Sequence, residues 1–379
     1  MKKGIHISVV LFVCLLLSSC IETNEIENIG IINAMGVDEK DKETIATTVV
    51  IFQFSAQSDS LTQIISGYGK TINGAVENAE HASVNRLVPG KLKLVVFGEG
   101  QAKQGIMPYI DGLARDARVP DLMYLALGRP TAKEILTVDE KEISTDVGQY
   151  LFSLIENHST DHNIPRKSLQ DFLRIYYDAG QDNVLPIFEI KDKVPKQASI
   201  ALFKGDQMVG ELTNDDADMI NLMDRHVKEK MLELTLPIEP LKEFLEKREQ
   251  PHDRNDFDVA LLISSGKSKT KITNTERLTF QTDTKIKFRL IEQTAGVKLT
   301  DPKAIERIEK EIEKEIEKRY TKLLKKLQDF EADPFGYGRY YNRTQEGRDL
   351  TAEQWREKFP TIDVKFNVEV EIIRHGATS

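Results

Sequence analysis

Apolar and polar residues alternate most regularly near the C-terminal end, where Ile362, Val364, Phe366, Val368, Val370 and Ile372 occupy every second position. A period of two puts these side chains on one face of a strand and leaves the other face wet. Upstream, Ile308, Ile312, Ile316, Tyr320, Leu323, Leu324 and Leu327 recur in steps of three and four within a run of Glu and Lys. That spacing predicts a helix with a single apolar stripe, capped by Asp301 with Pro302 at its first position. Its acids gather early and its bases late, which suits the helix dipole. The stripe steps nearer 3.6 than 3.5, so it predicts a helix lying on its own C-terminal sheet rather than an exposed coiled coil.

The rest of the chain alternates short elements of both kinds. Residues 26–54 read as a hairpin around a charged turn, Asp38 to Glu43, followed by a polar loop. Ile72, Ala75, Val76, Ala79, Ser83 and Leu87 have helical spacing. Strands are predicted at 91–100, 121–128 and 184–190, and helices at 102–116, 131–138, 146–159 and 168–180. The stretch "KDKVPKQAS" (191–199) is polar and contains a proline, so the main domain boundary is placed at 195/196. Beyond it come a hairpin at 199–212 with Gly205 in the turn, a helix from Asn214, and strand-like runs at 257–265, 268–274 and 282–293. No regular βαβ repeat is evident. The expected class is α+β and multi-domain, with separate mixed or antiparallel sheets each packed with helices. The expected divisions are a leader at 1–19, an N-terminal α+β domain at 20–195 and a C-terminal α+β region at 196–379, subdivided near 250.

The leader follows from the first twenty residues. Lys2 and Lys3 precede an apolar run, Val9 to Leu17, that is too short to cross a bilayer as a helix, which takes about 20 residues. A basic start, an apolar core and small residues at the end make a secretory signal peptide. The run ends Leu17-Ser18-Ser19-Cys20 and then turns polar. This resembles the lipobox of bacterial lipoproteins, which implies a diacylglyceryl thioether and N-acylation on Cys20 after cleavage before it. Each buried methylene contributes about 0.8 kcal/mol, so two acyl chains hold a protein stably where one holds it marginally.

Charge and cysteine content narrow the field further. Cleavage removes two lysines and no acid, taking the formal net charge from −9 to −11. An acidic body argues against nucleic-acid binding and does not suggest a polybasic membrane footprint. Of the two cysteines, Cys14 leaves with the leader and Cys20 is acylated, so neither an intrachain disulfide nor a Cys-based metal site is expected.

Catalytic motifs are missing. "GYGKT" (67–71) lacks the upstream glycine of a phosphate loop, where Ile64 stands, and reads as a turn before the helix at Ile72. His158 and His162 have the spacing of a helical metal pair, but their surroundings read as loop and no third ligand has a claim. The cluster "NDDAD" (214–218) reads as a solvated helix cap, because it lacks the register of a calcium loop. No catalytic residue, cofactor or metal site is expected.

Taken end to end, the chain resembles the Ger(x)C family, the lipoprotein C subunits of spore germinant receptors. The resemblance rests on "NIGIINAMGVD" with Gly36 and Asp38, and on "INGAVENAE". It rests also on "GKLKLVVFGEGQAKQGIMPYIDGLARDARV" with Glu99, Ala102, Gly105, Arg115 and Asp116, where Lys91 stands in place of a common histidine. "SIALFKGDQMVGEL" supplies Phe203, Lys204, Gly210 and Leu212. The C-terminal block supplies Asp333, Pro334, Phe335, Gly336, Gly338, Trp355 and Phe359. The resemblance implies a non-enzymatic subunit acting with integral-membrane A and B subunits in the spore inner membrane, lipid-anchored on its outer face. Two other classes remain open: a substrate-binding lipoprotein of an importer, which needs two βαβ lobes, and a tethered hydrolase, which needs a nucleophile or metal set.

Overall fold

The computed structural model describes residues 29–52, 62–160, 165–224, 229–245 and 255–373. The leader, Cys20 and the expected division near 250 fall outside these residues. Among the described residues no helix is long and apolar enough to cross a membrane.

Two sheets organise the chain. The larger holds nine strands, in the order β3-β2-β1-β5-β6-β7-β8-β9 with β4 beside β1. Their spans are β1 Ile29–Glu39, β2 Ile45–Phe52, β3 Thr62–Gly69, β4 Arg86–Val88, β5 Leu94–Gly98, β6 Tyr124–Arg129, β7 Val184–Lys191, β8 Val194–Lys204 and β9 Gln207–Leu212. The central strands β1, β5, β6 and β7 run parallel, while β2, β3, β8 and β9 join by antiparallel pairing. Both faces of the parallel centre are covered, so β5 is buried at every residue rather than alternating. Val95 and Phe97 pack with helices α1 (Ile72–Glu80), α2 (Glu99–Gln104) and α3 (Met107–Ala114). Leu94 and Val96 pack on the other face with α4 (Ala132–Leu136) and, past the short α5 (Glu140–Ile143), with α6 (Val147–Thr160). Helix α7 (Leu169–Tyr176) returns to the first face with Leu169 and Phe172.

Several expectations change in detail. Asp38 is inside β1 and buried, not in the exposed turn; its carboxylate accepts the N–H groups of Ala132 and Lys133 at 2.7 and 2.9 Å and so caps α4. The helix expected at 102–116 is two helices broken at Gly105, whose φ of +123° only glycine adopts freely. "GYGKT" contributes Gly67 to Gly69 to strand β3. A Cβ on Gly67 would lie 2.1 Å from the carbonyl oxygen of Ala75, so the glycine admits α1 against the strand. His158 lies on the backbone of α6, which continues to Thr160, and His162 is outside the described residues. The joint expected at 191–199 is a hairpin turn through Asp192 and Lys193, and β8 and β9 extend the larger sheet past 195/196.

After helix α8 (Asn214–Asp224) the second sheet begins. It has four strands in the order β10-β11-β12-β13: β10 Lys230–Pro237, β11 Asp256–Asn274, β12 Thr279–Gln293 and β13 Asp363–Ile372. The two runs expected at 257–265 and 268–274 are one 19-residue strand, β11. Strand β13 pairs with β12 in parallel, reached through helices α9 (Pro302–Asp329), α10 (Tyr337–Tyr341) and α11 (Ala352–Lys358).

Helix α9 is built as its sequence pattern requires. Asp301 accepts from Lys303 N at 2.9 Å, and Ile308, Ile312, Ile316, Tyr320, Leu323, Leu324 and Leu327 are all buried. Its wet side also bonds. Glu309, Glu313 and Glu317 accept the backbone N–H groups of Ile372, Val370 and Val368 at 2.6, 3.1 and 3.0 Å. Four helical residues rise about 6 Å and two strand residues about 6.6 Å, so the periods stay in step over three contacts. Arg319 donates to the carbonyl of Glu233 in β10 at 3.0 Å. The helix therefore bonds to both edge strands of the sheet, and the open edge of β13 is covered.

Ile312 is 0% exposed, so Ile312→Asp places an unpaired charge in the core and should cost about 3–5 kcal/mol. Urea unfolding measures this; unchanged stability with altered self-association would instead indicate a coiled coil.

Candidate functional site

The resemblance residues of the C-terminal block converge on a buried polar seam between the sheets. One side is the segment Asp178–Asn183 leading into β7. The other is Ala332–Gly338, where the chain leaves α9. Asp182 N donates to the carbonyl of Asp333, and Asp333 N donates to the Asp182 carboxylate, both at 2.9 Å. The same carboxylate accepts from Gly205 N in the β8–β9 turn at 3.0 Å and from Arg356 at 2.9 Å. Gln181 donates to the carbonyl of Pro334 at 3.0 Å, and Arg339 reaches back to Gln181 and Asp178.

Asp333 organises its own segment. Its carboxylate accepts from Gly336 N at 2.8 Å, Gly338 N at 3.1 Å and Trp355 Nε1 at 3.0 Å. Burial pushes this carboxyl up to about 7, against the pull of those three donors, and the neighbouring Asp182 adds to the rise. Trp355 stacks with Tyr341 and meets Phe280 of β12 edge-on, while the Tyr337 hydroxyl bonds to Thr282 at 3.1 Å. Two glycines let the backbones touch: a Cβ on Gly180 would lie 2.2 Å from Arg339 N, and one on Gly338 would lie 2.5 Å from the Gly180 Cα. A Cβ on Gly210 in β9 would lie 2.7 Å from the Phe330 ring just past α9.

The remaining resemblance residues are structural too. Gly36 lies against Ala132 and Leu136, and Ala102, Phe203, Leu212 and Phe359 are buried. Gly105 lets α2 break where Asp206 accepts from Met107 N. Arg115 and Asp116 form exposed pairs with Asp111 and Arg118, and Lys204 pairs with Glu331. Glu99 joins Glu189 and Glu211 around Arg129, at 2.6, 2.7 and 2.5 Å. Burial works against the charge on Glu99, but hydrogen bonds from Lys103 and Arg129 hold its carboxyl below the usual range. Gly180, Asp182, Arg129 and Arg356 were not singled out from the sequence.

A cleft of about 790 Å³ lies between α6, β8, α8 and β10, lined by Tyr150, Pro195, Asn214, Asp218, Lys230 and Glu233 among others. Asp218, expected in a solvated cap, instead forms a buried ion pair with Lys230 at 3.1 Å, and burial pushes its carboxyl up to about 6. Asp216 does cap α8, through Thr213, and pairs with Lys326. Among the described residues no group of three or more His, Cys, Asp or Glu could hold a metal.

A carboxyl near 7 in the folded chain, against about 3.9 in an unfolded one, favours the folded state fully below pH 4. That contribution is lost as pH rises through 7. The stability of the wild type relative to Asp333→Asn should therefore fall between pH 4 and 8 in urea titrations. A pH-independent difference would contradict this assignment.

The comparisons with known proteins agree with this architecture. Residues 22–190 match the family profile described as spore germination protein N-terminal domain. Residues 198–376 match spore germination B3/GerAC like, C-terminal. The chain is 25% identical over 374 residues to spore germination protein GerQC of Bacillus cereus, covering 97% of this chain and 98% of that one. It is 22% identical over 385 residues to putative spore germination protein YfkR of Bacillus subtilis strain 168, covering 96% and 95%. The crystal structure of the GerBC protein shares the fold, with a TM-score of 0.51 at 16% identity over 92% of this chain and all of that one. The chain belongs to the Ger(x)C family of spore germination proteins, and that membership points to a non-enzymatic role.

Proposed function

We propose that this protein is the lipoprotein C subunit of a nutrient germinant receptor, acting without catalysis beside integral-membrane A and B subunits. Diacylated Cys20 holds it on the outer face of the spore inner membrane. The observation that carries this reading is the near end-to-end family match, 22–190 and 198–376, directly behind a leader that ends in Leu-Ser-Ser-Cys. The polar seam supports it as well. The groups that could do chemistry there are already paired with one another, as befits a rigid body that docks rather than a site that turns over substrate. An importer's binding protein would need two lobes built on βαβ repeats; here the second sheet has four strands, paired antiparallel except for β12 with β13, and it shares a buried joint with the first.

Tethering raises the local concentration of one module near another to about the millimolar range without a new contact. Cys20→Ala removes that gain and leaves the described fold untouched. Spores carrying it should respond poorly to the nutrient served by this receptor and normally to agents that bypass receptors. Mass spectrometry of the mature wild-type N-terminus should show acyl mass on Cys20. If deleting the whole protein left every nutrient response normal while a transport activity disappeared, the importer reading would replace this one.

A further inference from the structure

The overall acidity of the chain conceals a basic end. Strands β1 and β4 begin side by side, with Arg86 level with Ile29, and β5 and β6 begin together about 16 Å further along β1, with Leu94 level with both Ala34 and Tyr124. The segments that feed these starts, 81–93 and 115–123, lie at that end. So does 165–168, whose Lys167 carbonyl accepts from Leu125 N at 3.0 Å. Together they carry seven Lys or Arg against two Asp, in a chain of formal net charge −9. Arg86, Lys91, Arg118 and Arg166 are exposed; Arg118 pairs with Asp116 at 2.7 Å, with Glu80 also facing it, and Arg166 pairs with Glu156 at 3.1 Å, while Arg86 and Lys91 have no ion-pair partner among the described residues. Two large apolar side chains project at the same end, Val84 at 94% and Leu122 at 71% exposure.

This end is also where the chain arrives from Cys20. Eight residues separate Cys20 from Ile29, which limits the reach to about 30 Å at full extension. The connecting stretch carries Glu22, Glu25 and Glu27, so it does not itself favour an anionic surface. The turn at the far end of β1 is mixed, with Glu39, Asp41 and Glu43 beside Lys40 and Lys42. We propose that the starts of β1, β4, β5 and β6 form a membrane-facing surface, where Arg86, Lys91, Arg118 and Arg166 meet anionic lipid headgroups and Val84 and Leu122 enter the headgroup layer. The inference rests on the lipid anchor at Cys20 and adds an orientation to it. A tether of at most about 30 Å lets this end come within one Debye length of the surface, roughly 10 Å at 0.1 M salt, where attraction to anionic lipid is felt. Exposed apolar side chains beside such groups suit the boundary between headgroups and acyl chains.

The test uses the full chain, expressed with its own leader and reconstituted in vesicles of phosphatidylglycerol and phosphatidylcholine. Once Cys20 is acylated, a cysteine introduced by Leu122→Cys, Val84→Cys or Lys42→Cys is the sole free thiol and takes a fluorescent label. Brominated lipid should quench the labels at 122 and 84 at least twofold more than the label at 42. Adding Arg86→Glu and Lys91→Glu should bring the quenching at 122 down toward that at 42 while the protein stays on the vesicles. Equal quenching at 122 and 42, with the protein still vesicle-bound, would overturn the orientation and leave the anchor standing. Protein absent from the vesicles would overturn both.

Discussion

The reciprocal exchange between Asp182 and Asp333 fixes how the two sheets meet, beside an apolar cluster that runs from Val184, Ile200, Leu202 and Leu212 into the second sheet. Each residue donates its backbone N–H to the other, and the two lie 151 positions apart in sequence. A backbone polar group buried without a partner costs roughly 1–3 kcal/mol, so this pair cannot be separated without exposing or orphaning several groups together. Asp182 adds Gly205 N and Arg356, and Asp333 adds Gly336 N, Gly338 N and Trp355. Contact at Gly180 and Gly338 is close enough that a single methyl group on either would collide with backbone atoms. A polar joint of this kind fixes geometry rather than supplying bulk hydrophobic stabilisation.

The second sheet meets a different constraint. A four-stranded sheet has two free edges, and free edges invite pairing with other chains. Here one helix covers the β13 edge with a row of glutamates and reaches the β10 edge through Arg319. The same helix packs its apolar stripe against the sheet. Its charged face is thus partly committed to backbone hydrogen bonds and is not simply a solvated surface. Burial raises the carboxyl of Glu309, the group nearest the strand end, although Ile372 N pulls the other way.

How much of this was legible in the sequence follows from the range of each interaction. Helix α9 and strand β13 are local periodic patterns, and both stand where the pattern placed them. Strand β3 was hidden because Gly67 and Gly69 have low strand preference; its glycines serve α1 and not a phosphate. Strand β10 alternates strictly from Lys230 to Leu236, but its first inward residue is a lysine whose partner, Asp218, lies twelve positions upstream. Covering the parallel core on both faces leaves β5 and β6 as short continuous apolar runs, legible as strands but not in their order within the sheet. The family resemblance pointed to Asp333, Gly336, Gly338 and Trp355 without their role. Asp182 and Gly180 gave no signal, because nothing local to residues 178–183 distinguishes a loop that carries a joint from one that does not. The basic end was invisible for the same reason, being assembled from three separated segments in an acidic chain.

The central claim is that the seam makes the two sheets one cooperative body. Trp355, the sole tryptophan, sits in that seam with its indole N–H on Asp333, so its fluorescence reports the joint directly. Urea unfolding of the wild type followed by Trp355 fluorescence and by far-ultraviolet circular dichroism should give coincident transitions. In Asp182→Ala the fluorescence transition should move to lower urea and precede the loss of secondary structure. Transitions that remain coincident in the variant at the wild-type midpoint, or that are already separate in the wild type, would contradict the account.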